Sequence, residues 1–321
     1  MPNSAAALGL LVAIPDLEVR REEPVAHHTR FAICGPAEIF ATAASVEAFR
    51  AALRVARAAG VGITIIGGGT NLIVSDQGVR GLVLRLAAGR MAAEDDRVQV
   101  EAGAVLDQLV DFTIDRGLKG IETLAGIPGW TGAAIYGNAG AYGHSISERV
   151  ARVQFLDGEE LRTLTPVECG FGYRESVFKR RKDWIIVSAV LRLERAGAAV
   201  LRLAAAEIRT VRDEKFPPSM RCAGSIFKNL LVAGLSERAR SEAPPHIVRE
   251  GKVPAAWFLE QAGAKGMARG GIRVADYHAN LVYNAGGGTA RELRELIATL
   301  KARVAVRFDL ELEEEVQYVG F

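Results

Sequence analysis

Arg174 stands in the run Phe171-Gly172-Tyr173-Arg174-Glu175-Ser176, between aromatic residues in an otherwise apolar region. A guanidinium keeps its charge at physiological pH and presents a planar fork of donors that matches a carboxylate. An arginine there can also lie at the surface and pair with a neighbouring glutamate. Ser225 follows a small Ala223-Gly224 pair in the run Cys222–Asn229, so another molecule can approach its hydroxyl. The run is not a G-x-S-x-G nucleophile elbow, because Phe227 stands where the second glycine belongs. Two readings remain: a fixed proton donor, or a turn serine bonded to backbone. Cys222 reads as a small apolar filler rather than a nucleophile. Glu315 shares an alternating face with Glu311 and Glu313, which by pattern alone is a solvated acidic face. Lys215, Lys265 and Asn229 could meet a diphosphate, although lone lysines ordinarily face solvent.

Two glycine-rich segments bear on what such side chains would act upon. Gly67-Gly68-Gly69-Thr70-Asn71 is the first; in the second, residues 122–143, glycine recurs at 126, 129, 132, 137, 140 and 143. Glycine lets main-chain N–H groups approach a phosphate or a ring edge closely. The first segment lacks the lysine of a Walker A loop, and the apolar Leu72-Ile73-Val74 after it reads as a strand, not the helix a Rossmann fingerprint requires. A glycine-rich hairpin turn is the structural alternative. The second segment has more glycines than a plain turn uses. Within it Asn138 can grip a ring edge or cap a turn, and Tyr142 can stack or pack. Two such segments point to a large phosphate-containing cofactor held by backbone.

The elements that must position these residues follow from pattern. Ser45 to Gly60 reads as a helix with Ser45 as N-cap and Gly60 at its C-terminus; Val46, Phe49, Leu53 and Ala56 fall at helical spacing. Ile63–Ile66 and Leu72–Val74 read as strands around the first glycine turn, and Gly81–Leu86 and Arg97–Glu101 as further strands. Val105–Arg116 reads as a helix, Val150–Leu156 and Trp184–Leu193 as strands, and Leu201–Asp213 as a helix broken by Phe216-Pro217-Pro218. Trp257-Phe258-Leu259 lie in a short helix ending near Gly263. Thr289 and Glu292 form a capping box ahead of the stripe Leu293, Leu296, Ile297, Leu300 and Val304. The last stretch alternates as a strand, with Leu310, Leu312, Glu314, Val316 and Tyr318 on one face and Glu311, Glu313, Glu315 and Gln317 on the other. Strands and helices mix without strict βαβ order, so the class is α+β.

Composition narrows the partners. The chain has 321 residues, 49% of them hydrophobic, with a formal net charge of +2. Neither a global basic field nor a Lys/Arg run points to nucleic acid. Three cysteines with no C-x-x-C pair argue against a disulfide framework or structural zinc and fit a reducing cytoplasm. No histidine pattern marks a metal site. The apolar run Ala5–Ile14 is too short to span a bilayer and has no basic residue before it, so it reads as a segment packed on the first domain.

Taken in order, several segments resemble the UDP-N-acetylenolpyruvoylglucosamine reductase family. They are His28-Thr29 with Gly35-Pro36-Ala37, then Gly67–Asp76, Gly117–Gly143, Tyr173-Arg174-x-Ser176-x-Phe178, Gly224-Ser225-x-Phe227-Lys228-Asn229, Trp257–Gly266 and Glu315-Val316-x-x-x-Gly320. Arg174 is soon followed by the strand at Trp184, which is similar to the shorter subtype without a tyrosine-bearing insertion. The sequence departs from the family at Cys34 and Ala133, where glycine is usual, and at Trp130, where a small hydroxylated residue is usual.

The resemblance implies a two-part FAD-binding domain of the vanillyl-alcohol-oxidase type, residues 1–85 and 86–213, and a C-terminal α+β substrate-binding domain, residues 214–321. It implies reduction of an enolpyruvyl ether on a UDP-linked amino sugar by NADPH through FAD, in peptidoglycan precursor synthesis, by a cytoplasmic monomer. Arg174, Ser225 and Glu315 would be catalytic. Gly67, Gly68, Gly69, Thr70, Asn71, Gly126, Ile127, Pro128, Gly129, Gly132, Asn138, Ala139, Gly140, Tyr142 and Gly143 would bind FAD. Tyr173, Lys215, Asn229 and Lys265 would bind substrate. Another FAD oxidoreductase of the same fold, and a non-catalytic flavin or nucleotide-sugar binder, are the competing readings.

Overall fold

The computed structural model describes residues 4–321, which divide into two compact units. The first takes the chain up to Glu23, then Ala37–Gly68 and Arg80–Pro218; the second takes Pro24–Pro36, Gly69–Val79 and Ser219–Phe321. Residues 1–3 of the expected first domain lie outside the described residues. The division expected at residue 85 falls inside the first unit, at the step from one sheet to another. The one expected at residue 213 falls within the helix Ala198–Lys215.

The first unit opens with α1 (Ser4–Val12), whose Ala7 and Leu11 are fully buried one helical turn apart. Four strands, β1 (Leu17–Pro24), β2 (Pro36–Ala43), β3 (Ile63–Ile66) and β5 (Val79–Leu86), form a sheet in the order β1-β2-β5-β3. Helix α2 (Val46–Ala58) buries Ala48, Phe49, Ala52, Leu53 and Ala56, and its N-cap Ser45 accepts a hydrogen bond from the Ala48 amide. Gly60 follows at φ +65°, a conformation that costs glycine little. These side chains share one core with Ile39, Ala41, Leu82 and Leu84 from the sheet.

The second sheet of this unit is antiparallel throughout. Its order is Glu160–Leu164, Val150–Asp157, Trp184–Arg192, β7 (Arg97–Glu101) and β6 (Met91–Glu94). Helix α3 (Leu106–Asp115) and the helix Ala198–Lys215 complete the unit; the latter begins three residues before and ends two residues after the expected 201–213, and its buried residues are Leu201 and Ala205. The second glycine segment is not a loop throughout. Residues 131–136 form α4 (Thr131–Tyr136), and its Gly132 is there for close packing: a Cβ would lie 2.8 Å from that of Ala102.

In the second unit a four-stranded sheet, ordered Cys222–Ser225, His278–Asn284, Ile272–Ala275 and Ala268–Arg269, packs with the helices Ala255–Gln261 and Ala290–Phe308. The long helix carries the expected capping box at Thr289 and Glu292, and all five residues of its apolar stripe are buried. Both Asp76 carboxylate oxygens also accept from its first amides, those of Ala290 and Arg291, a pairing across 214 positions that local sequence does not announce.

One alternative is excluded and one expectation needs correction. The first glycine turn is not a hairpin: β3 pairs with β5, whereas β4 (Leu72–Val74) pairs in parallel with Gln317–Val319. The final stretch is not one strand. Leu310, Leu312 and Val316 alternate into the core as read, but Tyr318 is 40% exposed. Backbone pairing switches partner along the run, from residues 226–228 at Glu313–Glu315 to β4 at Gln317. An alternating pattern reports which side is buried and is silent on the partner strand.

Candidate functional site

In the first unit the two glycine segments meet. A Cβ built on Gly68 would lie 3.2 Å from Cδ1 of Trp130 and 3.4 Å from the Gly129 Cα, and one on Gly67 would lie 3.4 Å from the Ala133 Cβ. Not every amide in the second segment can serve a ligand. Gly126 donates to Asp107 at 2.8 Å, and Ile127, Gly132, Asn138 and Ala139 donate to main-chain carbonyls of their own unit. These residues offer surface and carbonyls instead. Asn138 resolves toward the capping reading: its side chain donates to the Gly172 carbonyl at 2.8 Å and accepts from the Ser147 amide at 3.3 Å.

Arg174 sits at the tip of a tight turn. Gly172 and Glu175 exchange backbone hydrogen bonds of 3.0 and 3.1 Å, and Arg174 is left at φ +57°. Glycine or asparagine normally takes such a position, so the strain is a cost the fold carries to hold this side chain there. The guanidinium is half-buried, donates to the Gly140 carbonyl at 2.9 Å, and lies 5.4 Å from the Tyr173 ring centre. Glu175 pairs with Lys179 at 3.4 Å. Asn138 and Tyr142 also have positive φ, so left-handed non-glycine residues gather on this segment and the turn that touches it. Lys215 closes the helix Ala198–Lys215; burial and the charge of Arg212 hold its ammonium pKa below the usual lysine value.

In the second unit Ser225 and Glu315 come together through main chain. The strand Cys222–Ser225 bulges at Gly224, φ +79°, which re-aims Ser225. The Glu315 amide donates to the Ile226 carbonyl at 2.7 Å, and the Lys228 amide donates to the Glu313 carbonyl at 2.9 Å. Residues 225–228 thus lie antiparallel to 313–315, with a bridge between Phe227 and Glu314. The three adjacent glutamates have different surroundings. Glu313 pairs with the buried Lys228 ammonium, and Glu314 pairs with Lys301 and accepts from the Tyr318 hydroxyl. Glu315 is fixed by backbone on both sides, because its carbonyl accepts from Asn71 Nδ2 at 3.0 Å. The first glycine turn therefore reaches the acidic strand directly. The Asn71 Oδ1 is buried and has no hydrogen-bond partner among the described residues.

Asn229 and Lys265 have local partners. The Asn229 side chain accepts from the Ala255 amide at 3.3 Å, and the exposed Lys265 ammonium pairs with Glu260. The three cysteines are free. Burial pushes the Cys34 thiol up to about 12 and that of Cys169 to about 11, and raises Cys222 as well, so none is poised as a thiolate.

Asn280 was invisible to motif reading. It is 2% exposed; its side chain accepts from the Phe227 amide and donates to the Phe227 carbonyl, both at 2.9 Å, and its carbonyl receives the Ile226 amide. It mimics a missing strand partner exactly where Ser225 must be aimed. Its strand, His278–Asn284, also carries a histidine and a second asparagine, so nothing in the sequence set Asn280 apart. Asn280→Leu strands a buried amide and a buried carbonyl, so the expected loss is about 2–6 kcal/mol of stability, at roughly 1–3 kcal/mol per group. Urea unfolding checks it, and a loss below about 1 kcal/mol would contradict the pairing.

The comparisons with known proteins divide the chain similarly. Residues 37–163 match the family described as FAD binding domain. Residues 216–319 match the family described as UDP-N-acetylenolpyruvoylglucosamine reductase, C-terminal domain. The protein is thus an α+β flavoprotein with an FAD-binding domain followed by a C-terminal domain. A UDP-N-acetylenolpyruvoylglucosamine reductase of Solibacter usitatus is 60% identical over 310 residues, which is 97% of this chain and 99% of that protein. One from Bacillus velezensis is 35% identical over 94% of each chain. The crystal structure of UDP-N-acetylenolpyruvylglucosamine reductase from Thermus caldophilus superposes with a TM-score of 0.72 at 26% identity, covering 95% of this chain and 99% of that one. The chain belongs to the UDP-N-acetylenolpyruvoylglucosamine reductase family.

The residues present suit a flavin dinucleotide. The two glycine segments approach each other at Gly68 and Gly129, with the Trp130 indole beside them. Asn71 Oδ1 is a buried acceptor of the kind that a ligand N–H satisfies, and leaving it unmet costs about 1–3 kcal/mol.

Proposed function

We propose that this chain reduces UDP-N-acetyl-3-O-(1-carboxyvinyl)-glucosamine to UDP-N-acetylmuramate, with NADPH as the electron source and FAD as the carrier. The observation that carries the chemistry is the antiparallel pairing of the Ser225 strand with the Glu315 strand, locked by Asn280 and Asn71. In this reading residues 1–85 and 86–213 are the two parts of the FAD-binding domain, of the vanillyl-alcohol-oxidase type, and residues from 214 on bind substrate. Gly67–Asn71 and the 126–143 segment hold FAD.

FAD, held by the two glycine segments, would supply hydride chemistry for reducing the enolpyruvyl double bond. Negative charge then develops on the carbon that bears the carboxylate and spreads into the carboxylate. Groups aimed at that charge lower the barrier because they stabilise the transition state more than the ground state. Arg174 holds the carboxylate; the strain in its turn fixes the fork in advance. Glu315 supports the enolate-like intermediate. Ser225 Oγ–H delivers one proton to the charged carbon, which with the hydride, the source of both electrons, completes the reduction of the double bond; the serine recovers its proton from solvent. Tyr173, Lys215, Asn229 and Lys265 bind the UDP-sugar. No described helix is long and apolar enough to cross a membrane. A nucleotide-sugar substrate and three free thiols support a cytoplasmic setting for a monomeric enzyme.

The test is optical. Purified protein should carry a flavin absorption band, lose it anaerobically on adding NADPH, and regain it on adding the enolpyruvyl substrate. A flavin band that bleaches but does not recover would reject the substrate assignment. A colourless chain that takes up no FAD would reject the whole reading.

A further inference from the structure

The meeting point of the glycine segments holds a cation. A dinucleotide diphosphate bears full negative charges, whereas main-chain N–H groups supply only partial positive ones. Arg85 lies on β5, in parallel register with Ile66, the residue that leads into Gly67. Leu84 and Leu86 on either side of it are buried in the core, 0% and 5% exposed, so Arg85 projects from the opposite face of the sheet. On that face its guanidinium carbon is 4.8 Å from the ring centre of Trp130 and 5.5 Å from that of Phe40. Trp130 is also the nearest neighbour of Gly68, whose Cβ would stand 3.2 Å from indole Cδ1 and 3.4 Å from Nε1. One indole thus backs both the cation and the glycine turn.

The arrangement is not that of a solvated surface arginine. The guanidinium is part-buried, and burial acts against its charge. Stacking on an aromatic face recovers part of that cost and fixes the guanidinium plane. Flexible arginine side chains lose about 2 kcal/mol of rotamer entropy on immobilisation. An indole that prepositions the fork removes some of that loss from the binding step. It also gives Trp130 a purpose in a position where a small hydroxylated residue would have offered one neutral donor.

We propose that Arg85, held against Trp130, is the cation that binds the diphosphate of FAD where the two glycine segments meet. The proposal rests on the FAD reading above and extends it to a residue on the sheet face beside the turns.

Binding, not turnover, tests it. Flavin-depleted full-length chain is titrated with FAD and with riboflavin, which has the same ring system and no phosphate, following flavin fluorescence. Arg85→Gln should weaken FAD binding by about 10- to 100-fold, as for loss of a charge-assisted pair, and change riboflavin binding less than about threefold. Its FAD affinity should also depend less on salt than that of the native chain. Arg85→Lys should fall between the two. Trp130→Phe, which keeps a ring face, should stay near native, whereas Trp130→Ser should lower the ratio of FAD to riboflavin affinity. Parallel loss of both ligands in Arg85→Gln would make the residue structural and overturn the proposal, as would an unchanged ratio. Native chain that binds neither flavin would overturn the FAD reading itself, a separate and recognisable result.

Discussion

Ser225→Ala should leave reduction of the bound flavin by NADPH within about twofold of native and slow reoxidation by the enolpyruvyl substrate by about 10²- to 10⁴-fold, the range for loss of a positioned general acid. The substitution removes one oxygen beyond a bulge that Gly224 permits at φ +79°. Asn280 holds Phe227 by main chain, so the strand should keep its course without the hydroxyl. Rapid mixing separates the two half-reactions. Equal slowing of both would mean that the serine supports the fold or the cofactor, and the proton-donor role would be rejected.

Glu315→Gln should give a similar split, with substrate reduction slowed by about 10²- to 10³-fold, the range for loss of one electrostatic contact in the transition state. This residue is anchored by its amide to Ile226 and by its carbonyl to Asn71, neither of which the substitution touches. Stability should therefore change little. The neighbouring Glu313→Gln is the contrast: it removes the carboxylate charge beside the buried Lys228 ammonium, so its cost should appear in the unfolding midpoint, with both half-reactions slowed together or not at all. A native rate of flavin reoxidation in Glu315→Gln would remove the glutamate from the chemistry.

Much of this architecture was legible because its signals are local. Ser45 before Val46, Gly60 after the helix, and the Thr289–Glu292 box all act within one helical turn, and each is where the pattern put it. Glycines were legible as glycines but not by cause. Gly132 is required by Ala102 and Gly69 by the His28 carbonyl, which a Cβ would meet at 1.8 Å, whereas Gly224 is required by its own backbone angle. Sequence shows the missing side chain and not what took its place. The reading of Glu315 as one of several solvated acids illustrates the other limit. Its distinction from Glu313 and Glu314 depends on Lys228, Lys301 and Asn71, which come from three separate parts of the chain. Asn280 shares its strand with His278 and Asn284, and Arg85 shares its strand with Arg80, so residue type sets neither apart; their roles depend on Phe227 and Trp130, which lie elsewhere in the chain.

The parallel pairing of Leu72–Val74 with Gln317–Val319 has a consequence for biosynthesis. The strand leaving the first glycine turn waits for a partner that is translated far later, and Asn71 meets Glu315 across 244 positions. A nascent chain can complete its first sheet on the ribosome, but not this closure. A chain that stops before Gln317 would be left with an unpaired strand edge next to the first glycine turn, a substrate for quality-control proteases rather than a weak enzyme.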